Sequence, residues 1–154
     1  MLFEKIIKSA DLKRLNCAFE VKNLKTGEKI SYNENTVVPS ASLIKIPVMM
    51  KIIELVKEGS LSLKQRITVT DEVKVPFSIL TLMESGNSYT LKDIITLMIV
   101  QSDNTAANML IDIAGMNDVN DYIKKLGLKN TVLQRKMMDS KAREEGRENK
   151  LPTW

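Results

Sequence analysis

A serine is followed three residues later by a lysine at only one place in this 154-residue chain, Ser42-Leu43-Ile44-Lys45. A serine hydroxyl is a weak nucleophile near neutral pH and acts only with a base held within hydrogen-bond reach. Helical spacing puts positions i and i+3 on one face, so the Lys45 amine can approach the Ser42 hydroxyl from one turn below. At a helix start, backbone N–H groups and the helix dipole also favour negative charge developing near Ser42. A lysine serves as base only when neutral, which burial and neighbouring positive charge promote. The competing reading makes Ser42 an ordinary helix cap and Lys45 a surface cation. A second element, Ser102-Asp103-Asn104, lies well downstream at the start of another helical stretch and adds a hydroxyl and an amide.

Composition narrows the chemistry. The chain has no histidine and one cysteine, Cys17, so a Ser-His-Asp triad, a Cys-His pair and an ordinary zinc site are excluded. Any general base is Lys, Asp, Glu or Tyr. The formal charge of +4 comes from basic residues interspersed with acids, which describes a solvated surface and not a nucleic-acid footprint. Cys17 opens an apolar run and reads as a buried small hydrophobe. No cofactor is implied. The N-terminal residues carry charges every few positions, unlike a secretion signal. No apolar run has the length of a membrane span, so the compartment stays open between cytoplasmic and exported with a signal removed.

The elements that must position these groups follow from periodicity. Leu2, Phe3, Ile6, Ile7, Leu12 and Leu15 predict an amphipathic first helix. Residues 18–23 and 28–32 predict a β-hairpin turning at Gly27. Lys25-Thr26-Gly27 is then a turn, and Ser31-Tyr32-Asn33 and Ser85-Gly86-Asn87 are a strand and a turn that only mimic Ser-Asp-Asn. From Ser42 to Lys57 the residues are apolar nearly all round, predicting a central buried helix, with Pro47 in its opening turns and Gly59 ending it. A polar, turn-rich stretch to Val75 precedes a short helix over 79–84. Thr90-Leu91-Lys92-Asp93 has the form of a capping box and starts another buried helix. Further helices are predicted over 104–113 and 117–126, then a charged loop from 136 to 154 with room for one helical turn. Met49, Met50, Met98 and Met109 read as packing residues.

With Ser42-x-x-Lys45 followed by Ser102-Asp103-Asn104, and with an N-terminal helix, hairpin, nucleophile helix and helical region in that order, the chain resembles the class A β-lactamases and the wider penicillin-recognising serine hydrolases. The resemblance covers nearly the whole sequence. It implies an α+β, β-lactamase/transpeptidase-like fold: residues 1–40 as the helix and hairpin of the α/β part, 41–135 as the helical part, 136–154 as the charged loop, with a truncated sheet. It implies Ser42 as the acylated nucleophile, Lys45 as proton acceptor, Ser102 as the relay to the leaving nitrogen, and Asn104 as a substrate-binding amide that also bonds the lysine. Phe77 falls where the family often carries an aromatic at the cleft mouth, though a core role is equally open to it; Asp103 braces a turn or caps a helix.

Two departures from the family pattern shape the expectation. The family's deacylating glutamate has no counterpart in Leu133-Gln134-Arg135-Lys136-Met137-Met138-Asp139, leaving Asp139, or Glu145 in a Glu-x-x-x-Asn spacing with Asn149, as weaker candidates. No Lys-Thr-Gly follows Ser102, and in the family that strand supplies one of the two oxyanion N–H donors. Removing one such donor costs about 3 to 4 kcal/mol. Three functional readings result: a β-lactamase-type hydrolase acting on β-lactams or peptidoglycan-like amides, an acyl-trapping penicillin-binding module, or an inactive self-associating fragment. A two-stranded hairpin exposes both edges, so a homodimer that pairs hairpin edges or packs first helices and sheet faces together is expected, or a monomer in which the first helix and residues 136–154 cover that face.

Overall fold

The computed structural model describes residues 17–152, which divide into two units, one containing residues up to 38 and the other residues 39–151. The predicted first helix lies outside the described residues. In the first unit, β1 (Phe19–Lys22) and β2 (Lys29–Tyr32) pair antiparallel, with Phe19 opposite Tyr32 and Val21 opposite Ile30. Asn23 makes the turn: its side-chain oxygen accepts from the Lys25 and Thr26 N–H groups, and Gly27, at φ +75°, donates back to the Asn23 carbonyl. A positive φ there suits glycine, which has no Cβ to clash. The Lys-Thr-Gly triplet is thus a hairpin turn, as its context predicts. Cys17 is a free thiol at intermediate exposure, less buried than the sequence suggests.

β3 (Val37–Pro39) leads into a 3-10 turn over Ala41–Ile44, which passes directly into α1 (Lys45–Lys57). Pro47 is tolerated because its missing N–H falls in the first helical turn, where donors lack intrahelical partners anyway. After α1, Gly59 at φ +78° donates to Val56 and Ser60 to Leu55, closing the helix end. The stretch that follows is more ordered than its polar composition predicts. β4 (Arg66–Thr68) and β5 (Ser88–Thr90) form an antiparallel ladder with Ile67 opposite Tyr89. The helix predicted over 79–84 is only a 3-10 turn at Leu80–Leu82.

The Thr90 capping box is formed in both directions with Asp93 and starts α2 (Leu91–Val100). α3 (Asn104–Ala114) and α4 (Met116–Lys125) follow, and Gly127 at φ +79° ends the latter. The central helix is α3 and not α1. Every residue from Thr105 to Ile111 is buried, and α1, α2 and α4 all pack against α3. Its small Ala106 and Ala107 let neighbouring helices approach closely, whereas α1 and the turn before it leave Leu43 59% and Ile46 46% exposed. Ile44, Val48, Ile52, Ile94, Met98, Leu110 and Ile123 fill the core between the helices. Met98 and Met109 are packing residues, as expected.

The charged segment after residue 133 is a loop, as its composition predicts, and its ends are tied together. It contains the short helix α5 (Ser140–Glu144), capped by Asp139, and returns to β6 (Lys150–Pro152). Its two ends meet at Asn149, whose buried amide accepts from the Gln134 and Arg135 N–H groups and donates to the Arg135 carbonyl. Such a closed-ended, self-packed segment has the character of an Ω-loop.

If α3 organises this unit, Leu110→Ala should cost about 2 to 5 kcal/mol of unfolding free energy. Leu82→Ala, at an exposed position, should stay within about 0.5 kcal/mol. Urea unfolding followed by circular dichroism measures both.

Candidate acylation site

Four side chains predicted from separate parts of the sequence meet at one point. The 3-10 turn before α1 carries Ser42 at the surface, while Lys45, at the first position of α1, is only 2% exposed. That burial removes the reading of Lys45 as a surface cation. The Lys45 Nζ donates to Asn104 Oδ1 at 2.8 Å, to Ser102 Oγ at 3.0 Å and to the Ser102 carbonyl. Ser42 Oγ lies farther, 3.5 Å from the amine, at the outer limit of a hydrogen bond. Ser102 closes the gap by donating to Ser42 Oγ at 2.8 Å. The short path between Ser42 and the amine therefore runs through the Ser102 hydroxyl.

Backbone conformation makes this convergence possible. Ser102 has φ +53°, in the left-handed region, and both its carbonyl and its hydroxyl thereby face the same amine. Ala41, directly before Ser42, is also left-handed at φ +44°. Non-glycine residues in such conformations cost of order 1 to 3 kcal/mol each and persist where surrounding contacts enforce them. At Ser102 the enforcing contacts are the lysine on one side and the start of α3 on the other. Asp103, 1% exposed, caps α3 by accepting from the Ala106 N–H at 2.8 Å. Its carboxylate also accepts from Ser78 Oγ at 2.6 Å and the Leu80 N–H at 3.1 Å. Asp103 thus caps and braces together, and its carboxylate is spent on structure.

The Lys45 ammonium is pushed below its ordinary pKa chiefly by burial, with the Asp103 carboxylate pulling partly the other way. Desolvation disfavours the charged form and so raises the share of neutral amine that could take a proton. A neutral amine has two protons and a lone pair. With the two protons on the Ser102 carbonyl and Asn104 Oδ1, the lone pair can accept from the Ser102 hydroxyl. Ser102 then accepts from Ser42 in place of donating to it, so the three-group chain reverses its polarity when the amine is neutral.

Phe77 is 80% exposed with φ +58°, which excludes a core role for it. The Pro76 carbonyl just before it accepts from Asn104 Nδ2 at 3.2 Å, so this aromatic belongs to a loop fastened to the site. Asp139 spends its carboxylate on the Ala142 N–H of α5, and Glu145 pairs with Arg147. Among the described residues, the hydrogen-bonded cluster of Ser42, Lys45, Ser102 and Asn104 contains no carboxylate.

Sequence reasoning missed Asn108, and it placed Asn149 only in a spacing with Glu145, not at the neck of the loop. Asn108 lies four residues beyond Asn104, hence on the same face of α3, and its amide clamps both backbone groups of Met137 at 2.7 and 3.1 Å. The helical spacing is the signal that could have found it. The Asn149 carbonyl accepts from the Ser40 N–H at 2.8 Å, tying the neck of the loop to the segment just before Ser42. That contact joins distant parts of the chain and has no local signature.

The sequence model of the β-lactamase enzyme family matches residues 2–153, and the chain belongs to that family. It is 29% identical over 116 residues to β-lactamase CARB-4 of Pseudomonas aeruginosa, an alignment covering 75% of this chain and 40% of CARB-4. The crystal structure of a β-lactamase from Sphaerobacter thermophilus superposes with a TM-score of 0.78 at 33% identity, covering 88% of this chain and 51% of that one. PBP-A superposes with a TM-score of 0.82 at 28% identity, covering 97% and 56%. The fold is thus that of the β-lactamases, and the chain spans about half the length of these relatives or less.

The lowered Lys45 pKa has a measurable consequence. The folded chain releases this proton more readily than the unfolded chain, so between the lowered folded value and the ordinary 10.5 the unfolded state binds more protons. Unfolding free energy contributed by Lys45 then rises with pH across that window and is flat below it. The stability difference between wild type and Lys45→Met, measured by urea unfolding from neutral to alkaline pH, should grow in favour of wild type as pH rises. A pH-independent difference would contradict the shift.

Proposed function

We propose that the site acylates itself with β-lactams or related amides and holds the acyl group, as a penicillin-binding module does. The observation that carries this reading is the hydrogen-bonded chain from Ser42 Oγ through Ser102 Oγ to the buried Lys45 Nζ. Ser42 Oγ would attack the lactam carbonyl while its proton passes through Ser102 to the neutral lysine. Collapse of the tetrahedral intermediate would break the C–N bond, and the proton would return through Ser102 to the departing nitrogen. Nothing leaves the complex, because the ring opens and the whole β-lactam stays as an ester on Ser42. Asn104, already bonded to the lysine, would offer its amide to a side-chain amide of the substrate.

Two observations favour retention over turnover. Hydrolysis of the ester needs a base to activate water, and among the described residues no carboxylate joins the cluster. The two candidate acids are committed elsewhere, Asp139 to a helix cap and Glu145 to an arginine. A leucine-to-glutamate variant of the structural relative PBP-A, 29% identical to this chain, is known as an acyl-enzyme complex with penicillin G, which supports the acylation step and does not bear on retention. The reading of a β-lactamase that turns substrate over is the alternative, supported by the family to which the chain belongs.

Incubation with penicillin G followed by intact-mass measurement should add one whole penicillin mass to the chain, with the label mapping to Ser42. Ser42→Ala should abolish the adduct and Lys45→Ala should nearly do so. Labelling that survives in Ser42→Ala, or that maps to Ser40, would overturn the assignment. An adduct that disappears within seconds of forming would favour the hydrolytic alternative.

A further inference from the structure

The loop from Val75 to Leu80 is held by three consecutive residues at the start of α3. Asp103 binds Ser78 and Leu80, Asn104 donates to the Pro76 carbonyl, and Thr105 takes the remaining end. The acylation chemistry uses Asn104 and leaves Thr105 without a role. Yet Thr105 is fully buried and its hydroxyl completes a closed ring. The Val75 N–H donates to Thr105 Oγ1 at 3.0 Å, and Thr81 Oγ1 donates to the Val75 carbonyl at 2.7 Å. The two threonine hydroxyls stand 3.2 Å apart, a contact in which either can donate, and Thr105 Oγ1 also reaches the Val75 carbonyl at 3.4 Å.

Both backbone groups of Val75 are therefore fixed by side-chain hydroxyls, and the next residue, Pro76, has no N–H with which to anchor itself. The position of the Pro76 carbonyl depends on the two threonines. That carbonyl accepts from Asn104 Nδ2 at 3.2 Å, while Asn104 Oδ1 accepts from Lys45 at 2.8 Å. An asparagine amide has two orientations of nearly equal shape, and its hydrogen-bond partners select between them. With the Pro76 carbonyl in place, Nδ2 is drawn to the loop and the oxygen faces the lysine. With that carbonyl displaced, the amide can turn and aim N–H donors at an amine that is itself a donor.

We propose that Thr105 is a positioning residue for the acylation site: through Val75 and Pro76 it sets the Asn104 amide so that its oxygen, and not its NH2, meets Lys45. The proposal rests on the acylation reading for its kinetic effect, but the amide orientation can be measured without any reaction.

The test uses the 154-residue chain with Thr105→Val, which keeps shape and loses the hydroxyl, and Thr105→Ser, which restores it. Two quantities are read: the rate of penicillin G adduct formation by intact mass, and the Asn104 side-chain NH2 signals and their hydrogen exchange by NMR. Thr105→Val should acylate about tenfold more slowly, as for loss of one well-placed hydrogen bond, with Asn104 NH2 signals shifted and exchanging faster. Thr105→Ser should return both toward wild type. Wild-type Asn104 signals in Thr105→Val overturn the proposal whatever the rate does, as does a Thr105→Ser variant that behaves like Thr105→Val. If wild type forms no adduct, the functional reading fails while the Asn104 signals still decide the positioning role. If Thr105→Val does not fold, Thr81→Val opens the same ring at a less buried position, and unchanged Asn104 signals there overturn the proposal equally.

Discussion

Everything at this site depends on holding one lysine amine out of water. Lys45 Nζ is surrounded by the Ser102 carbonyl, the Ser102 hydroxyl and the Asn104 amide oxygen, with Ser42 just beyond. Burying an ammonium without acceptors would cost several kcal/mol or expel its proton. Three oxygens make burial tolerable, and the remaining desolvation moves the amine toward its neutral form. The balance gives a lysine that is held firmly and can still accept a proton. Asp103 opposes part of the shift from behind the acceptors, its carboxylate occupied by three hydrogen-bond donors.

The surrounding architecture follows from delivering those acceptors. Residues 102 to 105 supply them or steady them, and they lie where α2 ends and the central helix begins. A helix start suits the task because its free N–H groups recruit Asp103 as a cap, and the cap then grips the Val75–Leu80 loop. The all-round burial of α3 keeps this start in place. Ser42 comes from a tight turn anchored in the same core by its own Ile44 and by Val48 and Ile52 of α1.

The meeting of Ser42, Lys45, Ser102 and Asn104 was legible through the family resemblance of their two motifs, because local spacing relates Ser42 to Lys45 but says nothing of residues sixty positions further on. The capping box at Thr90, the glycine-ended helices and the hairpin around Gly27 were legible because each is local. The Ser102 carbonyl was not, since a left-handed backbone at a non-glycine residue leaves no mark in composition. β4 and β5 were missed because each is three residues long and draws its order from a partner distant in sequence. The apolar periphery of residues 42–57 suggested a central helix, yet Leu43 and Ile46 face outward and the alanine-bearing α3 takes the centre. Hydropathy records what a helix could bury, while small side chains decide which helix can be surrounded. The charged loop was legible, but its closure by Asn149 was not, because that residue acts through contacts with distant residues.

The most direct test of this account is the titration of Lys45 itself. With 13C-labelled lysine and Lys45→Arg to assign the signal, the Lys45 Cε shift can be followed by NMR against pH in the folded chain. A midpoint clearly below the ordinary 10.5 is the predicted result. A Lys45 midpoint at or above 10.5 would mean that the three oxygens hold a permanent ammonium, and the lysine could not be the base that activates Ser42.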